Sequence, residues 1–497
     1  MSLLLRKSER YRARNLVFAE SEYEVTENRI NVILPHSAKA WAALLEIAMA
    51  HRKLFGEKIH INLFDVSALE NPYPISYGRR ALQKKIVREN NFSVFRARVR
   101  PLDLLGVLLQ SKLDFRKVKS GDFSTLQIKG MSVGHILDCR IAAAMGSRQY
   151  NSKQVPFWVF FKHYFVTYTS TLTAIRFLGS EPATVVAYNG REPLAASFIN
   201  IALSSRLQVV LAERGPTSSR YQIFPNSPHF HPDWWKLIQD KFGERDALSS
   251  EEVEDTKKYI ENKLRGRDSY FDEDWGRKFS PQKSQNKLPG LSPGYVCYFS
   301  SSTTEFSPFS KYNSQLGYVD QFEAVRDLAE ACMERNTQLV IRRHPNSIGK
   351  DGIDRESTSW ELVVKDFSNI VYLSPFDTYN SYDLARGARA VMVWKSSIGF
   401  ETLCLKKPTY ALGPAKWAMN DEVRVWDRDQ IERALEITEQ NCDELISAYS
   451  LFMTQSGTSY TFFKNSNKWG VTLPSGKKIY NTFFERARRK LLPTLSK

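Results

Sequence analysis

Short continuous apolar runs alternate along this chain with stretches in which apolar residues return at helical spacing. The first run, Ile30 to Leu34 (INVIL), leads into Pro35, His36 and Ser37, after which Trp41, Leu44, Leu45 and Ala48 share one helical face until Gly56. A second run, Ile59 to Val66, follows. Brief apolar runs bounded by turn residues predict strands, so the opening reads strand, helix, strand, the unit of a parallel sheet. Ala183 to Tyr188 (ATVVAY), Asn189-Gly190-Arg191, a helical segment and Leu207 to Ala212 (LQVVLA) repeat the alternation.

From Gly243 to Gly294 the chain turns polar. Ser249 and Glu252 form a capping-box pattern for one helix, and the Ser/Gln/Lys/Pro/Gly-rich stretch Phe279 to Gly294 has the composition of a linker. Strands restart at Tyr295 to Phe299 (YVCYF), followed by the loop Ser300 to Thr304 and a helix carrying Phe322, Val325, Leu328 and Cys332. Gln338 to Arg342, Ile370 to Leu373, Ala390 to Trp394 and Pro408 to Leu412 supply four further strands. The expected architecture is α/β, with two Rossmann-like, doubly wound parallel-sheet domains. The expected boundaries are 1–242 for an N-terminal domain, 243–293 for a connector, 294–440 for a C-terminal domain and 441–497 for a basic, aromatic extension packing back on the N-terminal domain.

At 497 residues, with 42% hydrophobic and 12% aromatic positions, the chain can build more than one core and is not disordered as a whole. Its longest apolar segments, Trp41 to Ala50 and Phe157 to Tyr168, are broken by Glu46, Lys162 and His163 and fall short of the roughly 20 residues a spanning helix needs. The start, MSLLLRKSERYRARN, reverses the charge order of a secretory signal, so a cytoplasmic location is expected. The 5 cysteines lack CxxC spacing, which disfavours a zinc ribbon or a disulfide framework. A net charge of +16 attracts anions without naming them.

Neither half carries GxGxxG after its first strand, and GxxxxGK[ST] is absent, so dehydrogenases and P-loop enzymes lose their main support. The strand ends are polar instead: Asn189-Gly190-Arg191, Glu213-Arg214-Gly215, Ser300-Ser301-Ser302, Arg342-Arg343-His344-Pro345 and Lys395-Ser396-Ser397. Ligands of open α/β sheets sit at such ends. His344, beside a strand-stopping Pro345, is placed to hydrogen-bond a phosphate oxygen, or is simply a solvated strand end. Ser396 and Ser397 stand where a helix from Ile398 to Leu405 begins, either as a phosphate site or as ordinary caps. Glu401, one turn on, faces a ribose or solvent.

The RxHP of Arg342 to Pro345, the SSxGFExLxxxKP of Ser396 to Pro408 and the YFSSSTTEF of Tyr298 to Phe306 together resemble the capsular polysaccharide biosynthesis glycosyltransferases, including bacterial Kdo transferases. The resemblance covers residues 190 to 430. It implies a GT-B fold, two Rossmann-like domains facing across a cleft, with nucleotide-sugar on the C-terminal domain and acceptor on the N-terminal one. It implies that His344, Ser396 and Ser397 hold the phosphate of a CMP-activated sugar, that Arg342 supports it and that Glu401 faces the ribose. Ser300, Ser301, Ser302 and Pro345 join the nucleotide-binding set. Glu213, in an acid-x-Gly segment, is the candidate base, although Arg214 stands where similar sialyltransferases carry a second acid. Asn189, Gly190, Arg191, Arg214 and His36 are candidates for donor or acceptor binding.

A CMP-sugar breaks between the anomeric carbon and phosphate, so cations and hydroxyls would stabilise the leaving group while a carboxylate deprotonates the acceptor. No metal and no cofactor beyond this cosubstrate is expected. His229 and His231 lack companion ligands, and Trp234, Trp235 and Trp158 to Phe161 are expected in cores. Arg79 to Lys129 carries 13 Lys/Arg against 4 Asp/Glu, and with the tail Lys477 to Lys497 it suits an anionic membrane surface or a solvated face. The expected protein is a cytoplasmic glycosyltransferase, peripheral at the inner membrane face, extending a surface polysaccharide or lipid-linked glycan from a CMP-sugar such as CMP-Kdo. No nucleic-acid-binding motif is evident. The alternatives are a CDP-glycerol or polyol phosphotransferase and a non-catalytic scaffold that binds anionic polymers.

Overall fold

The computed structural model describes residues 29–480 except 36, 67–68, 70–76, 98, 146–150, 179–181, 191–192, 216–218, 226–232, 243–248, 265–289, 303–316, 345–346, 349–353, 355, 378 and 468–469. The chain divides into two compact units. One comprises Met1–Asp138, Ser152–His229 and Ser456–Lys497, the other Cys139–Asn151 and Phe230–Gln455.

In the first unit, β1 (Arg29–Leu34), β2 (His60–Asp65), β3 (Ser93–Arg96), β6 (Thr184–Tyr188) and β7 (Gln208–Arg214) run parallel in the order β3-β2-β1-β6-β7. Two antiparallel strands, β8 (Arg220–Pro225) and β14 (Thr458–Ser459), extend the β7 edge. Counting only the parallel strands as they occur in the chain, the order is 3-2-1-4-5, that of a Rossmann sheet, whose direction reverses between β1 and β6.

Helix α1 (Ala38–Phe55) is buried nearly all round. Its apolar residues join the sheet core, while Phe463 and Val471 of the returning chain close the same cluster. Glu46 of α1, buried among them, accepts backbone N–H groups of Thr461 and Phe462. A small sheet, β15 (Asn465–Asn467), β16 (Gly470–Thr472) and β17 (Lys478–Tyr480), completes that face.

The second unit holds β9 (Val296–Phe299), β10 (Leu339–Arg342), β11 (Ile370–Leu373), β12 (Ala390–Val393) and β13 (Thr409–Ala411), all parallel, in the order β11-β10-β9-β12-β13. This is again 3-2-1-4-5. Strands β9, β10 and β12 are buried at every position, as expected where helices cover both faces of a parallel sheet. Helix α9 (Gln321–Glu334) is capped by Asp320, whose carboxylate accepts from the N–H groups of Phe322 and Glu323 at 2.9 and 3.1 Å. The Ser249/Glu252 capping box forms reciprocally at the start of α8 (Ser250–Leu264).

Each unit is thus a Rossmann-like α/β domain, but the helices Ser250–Leu264 and Asp443–Gln455, expected in a connector and in the C-terminal extension, fall in the second unit. Three local expectations need correction. Trp158 is 69% exposed, although Phe160 beside it is core and Trp235 is buried, donating to the Ala415 carbonyl at 2.8 Å. Arg79 does not belong to a solvated basic patch: it is buried, donates to the Pro35 carbonyl at 2.8 Å and lies 5.0 Å from the Trp41 ring centroid. Strand β7 runs on through Glu213 and Arg214, because both pair with β8. His229, His231, the linker residues 279–289 and the tail residues 481–497 lie outside the described residues. Among the described residues no helix is long and apolar enough to cross a membrane.

Candidate functional site

In the second unit the reversal of strand order falls between β9 and β12, where ligands of such sheets bind. The residues following β9, β10 and β12 are Ser300-Ser301-Ser302, Arg343-His344 and Trp394 to Ser397. Phe299 is in register with both Arg342 and Val393, so all three strands end at one level. Arg342 and Val393 flank Phe299 at the end of β9 at a separation of about 10 Å, two strand spacings, and His344 and Lys395 follow two residues on.

The serines of β9 hold this arrangement. Ser300 Oγ accepts the His344 backbone N–H at 2.8 Å, and Ser301 Oγ accepts that of Lys395 at 3.1 Å. Gln321 of α9 brackets Ser301, accepting its N–H at 3.1 Å and donating to its carbonyl at 2.9 Å. Ser300, Ser301 and Ser302 are all buried. The first two therefore tie neighbouring strand ends together.

Arg342 closes β10. Its guanidinium is buried and donates to the carbonyls of Ser374 and Asp377, the latter at 2.8 Å, so it braces the loop after β11. Burial lowers its pKa from the usual arginine range. Arg343 is fully enclosed and paired bidentately with Asp354 at 2.6 and 2.8 Å, which makes it structural. His344 is half-buried beyond these two arginines, and its carbonyl accepts from Ser347 Oγ at 2.7 Å. Pro345 lies outside the described residues.

Helix α12 (Ile398–Cys404) follows β12. Ser397 occupies its cap position, yet its hydroxyl makes no capping hydrogen bond and the residue is exposed. Ser396 is half-buried, and its carbonyl accepts from Trp417 Nε1 at 3.0 Å. Gly399 is required by space: a Cβ there would lie 2.1 Å from the Trp417 ring, so the motif glycine lets an indole seat the helix. Glu401 is buried and accepts from the Tyr382 hydroxyl at the start of α11 (Ser381–Gly387), which fixes the carboxylate expected to face a ribose.

Sequence reasoning placed Lys395 at a strand end but gave it no role. It is buried between β12 and α12, its Nζ 5.9 Å from the Trp394 ring centroid, and desolvation pulls its pKa down to about 7. The available signal was a lysine directly after a fully apolar strand at a switch point.

In the first unit the reversal falls between β1 and β6. His36 after β1 and Arg191 after β6 lie outside the described residues, as does the Arg214 side chain. Asn189 and Gly190 both adopt left-handed backbone, φ +64° and +77°, turning the chain sharply at the end of β6. The turn aims the Asn189 amide at Glu213, which accepts from Asn189 Nδ2 and, at 3.1 Å, from the Tyr188 hydroxyl. Glu213 is buried, and these two donors reach different oxygens of its carboxylate. Asn189 therefore helps to orient the carboxylate. Gly215 is again a matter of space, since a Cβ would come within 2.7 Å of the Arg220 backbone.

Among the described residues no group of three or more His, Cys, Asp and Glu could hold a metal ion.

Residues 313–456 match the family model described as capsule polysaccharide biosynthesis protein. No curated protein matches the sequence. Among solved structures the chain is similar to the β-Kdo 2,4-transferase KpsC of Thermosulfurimonas dismutans, at 14% identity over 54% of this chain and 78% of that one, with a TM-score of 0.37. It is similar also to the β-Kdo 2,7-transferase KpsC of the same organism, at 14% identity over 64% and 86%, TM-score 0.33. A third is the UDP-GlcNAc 2-epimerase of Methanocaldococcus jannaschii, at 10% identity over 94% and 99%, TM-score 0.27. The matched segment contains both the Arg342 to Pro345 and the Ser396 to Pro408 motifs, and through it this chain is similar to the capsule polysaccharide biosynthesis proteins.

Proposed function

We propose that the protein is a glycosyltransferase of surface polysaccharide synthesis that takes its sugar from a nucleotide-activated donor, a CMP-linked acidic sugar such as Kdo. The observation that carries this reading is the junction at the switch point of the second sheet. There two buried serine hydroxyls fix the backbones of His344 and Lys395 on either side of β9, inside the segment that matches the capsule family model.

In this reading the donor phosphate lies over the ends of β9, β10 and β12. His344 hydrogen-bonds a phosphate oxygen, Ser396 and Ser397 offer hydroxyls, and Lys395 supplies charge from beneath. Glu213 of the first unit is the base. Its carboxylate takes the proton of the acceptor hydroxyl, the acceptor oxygen bonds to the anomeric carbon, and the bond from that carbon to the phosphate oxygen breaks, releasing CMP. The acceptor is a polysaccharide or a lipid-linked glycan.

Thermal-shift titration with CMP, CDP, UDP and GDP tests the donor side. Stabilisation by a cytidine nucleotide that is lost in His344→Ala supports the reading, and a preference for UDP overturns the CMP-sugar assignment. Mass measurement of the product formed from CMP-Kdo identifies the transferred group.

A further inference from the structure

Helix α3 (Pro101–Lys119) of the first unit is built inside out. Its buried stripe is Asp103, Val107, Ser111, Asp114 and Val118, one residue per turn facing α5 (Phe157–Leu178). Polar bonds dock that stripe. Arg176 of α5 donates to both oxygens of Asp103, one at 2.8 Å, and the Tyr164 hydroxyl donates to Asp114 at 2.7 Å. Gly106 keeps the helices close, because a Cβ there would stand 2.7 Å from the Tyr168 hydroxyl.

The opposite face is apolar. Leu102, Leu105, Leu108, Leu109 and Leu113 are 79, 53, 55, 66 and 54% exposed. At helical geometry they form one outward stripe, half a turn from Asp103 and Asp114. Single exposed leucines need no explanation, but a continuous row of five on one helix marks a surface that is covered in use.

Charge selects what covers it. Lys112 and Arg116 lie on the leucine face and are exposed, with half-buried Lys119 beside them, whereas Lys117 turns back to pair with Asp114 at 3.2 Å. The only acids of the helix, Asp103 and Asp114, are both turned inward and bonded. The outward face therefore offers cations and no carboxylate. A second copy meeting it about a two-fold axis would bring Lys112 and Arg116 against a surface of the same kind, with no acid to pair them. Nucleic acid would satisfy the cations and leave the leucines in water. An anionic bilayer accepts both, since acyl chains take aliphatic side chains without directional demands and lipid phosphates meet the lysine and arginine. At the C-terminal end of the helix, Phe115 packs at 5.2 Å on Phe157, and Phe157 and Trp158 are 42 and 69% exposed, the aromatic placement typical of a membrane interface.

We infer that α3 is a membrane-docking helix, lying in the plane of an anionic bilayer with its leucine row in the acyl boundary and Lys112 and Arg116 at the headgroup phosphates. The assignment is independent of the transferase reading: failure to bind vesicles leaves that reading intact, and failure to transfer sugar leaves the docking intact.

Flotation of the full chain with vesicles of phosphatidylcholine and phosphatidylglycerol in three-to-one proportion is the test. Wild type should float with these vesicles and much less with pure phosphatidylcholine. Leu105→Glu/Leu109→Glu should lower the partition coefficient by more than about ten-fold, and Leu105→Gln/Leu109→Gln, which adds no charge, should lower it by nearly as much. Lys112→Gln/Arg116→Gln should reduce binding to the anionic vesicles and leave residual binding to neutral ones unchanged. Because these side chains face solvent, the variants should melt with the wild type, which separates lost docking from lost folding. Wild type that stays unbound at low salt, or leucine variants that float as well as wild type, overturns the proposal. So does a dimer, seen by sedimentation without lipid, that Leu105→Gln/Leu109→Gln dissociates, since the face would then belong to a second copy.

Discussion

The two sheets share one strand order but present different chemistry at their carboxyl ends. In the first unit a left-handed turn swings Asn189 onto Glu213, and a tyrosine hydroxyl joins it, so the result is an oriented carboxylate. In the second unit the strand ends present His344, Lys395 and serine hydroxyls, with Arg342 and Arg343 buried behind them. In the proposed reading one sheet takes a proton and the other holds an anion. Substitutions at the two places should therefore fail in different ways, which is the sharpest means of breaking the comparison.

The largest effect is expected at Glu213. Glu213→Gln keeps the side-chain shape and should lower turnover by about 10²- to 10⁴-fold while leaving nucleotide thermal shifts unchanged. His344→Ala should do the reverse to the shifts, abolishing them. Turnover of Glu213→Gln within a few-fold of wild type would remove the base role and with it half of the contrast.

Next in size is a packing effect confined to the second unit. Gly399→Ala drives a methyl into the Trp417 ring, 2.1 Å from its ideal position, and overpacking of that kind costs about 1–3 kcal/mol or more. Urea unfolding should show it, and an unchanged midpoint would mean that Trp417 can move aside.

Buried ions extend the comparison to pH. Glu46 of the first unit is raised from 4.5 to about 7, chiefly by burial and against the backbone N–H groups that bond it. With the folded pKa above the unfolded one, its contribution to stability is complete below pH 4.5 and is lost as pH rises to about 7. Lys395 of the second unit is lowered from 10.5 to about 7, so its contribution is complete above pH 10.5 and is lost as pH falls to about 7. Each slope is at most about 1.4 kcal/mol per pH unit. Melts across pH should flatten on the acid side in Glu46→Gln and on the alkaline side in Lys395→Met. Slopes identical to wild type would show that neither ion titrates with folding.

A stability effect of similar size, without a packing change, is expected at the serine tie. Ser301→Ala leaves the Lys395 amide without its partner and should cost about 1–3 kcal/mol. It should also weaken nucleotide binding several-fold if the tie sets the spacing between Lys395 and His344. Loss of stability with nucleotide affinity intact would separate the tie from the site.

Much of this was legible in residue order. Parallel strands buried on both faces must be apolar throughout, so the runs at 296–299, 339–342 and 390–393 announced themselves, and polar residues directly after them had to sit at the strand ends. The motifs containing His344 and Ser396 likewise marked the second switch point. Roles were harder to read than places. Ser300, Ser301, Arg342 and Asn189 carry groups that bond a ligand or a neighbour alike, and only the fold shows which amide, carbonyl or carboxylate of the chain each one also bonds.

The same division separates the two kinds of information in the chain. Sequence by itself determined the alternation of strand and helix and the polar residues that follow each strand, since these follow from local periodicity, while the strand order was settled only by the tertiary structure. Tertiary structure alone decided which way α3 faces, because its sequence offers leucines for a core and the partners Arg176 and Tyr164, far along the chain, claim its aspartates. It also decided that Lys395 is buried and Trp158 exposed. Burial is set by what packs against a residue from elsewhere in the chain, and no spacing of its immediate neighbours encodes that.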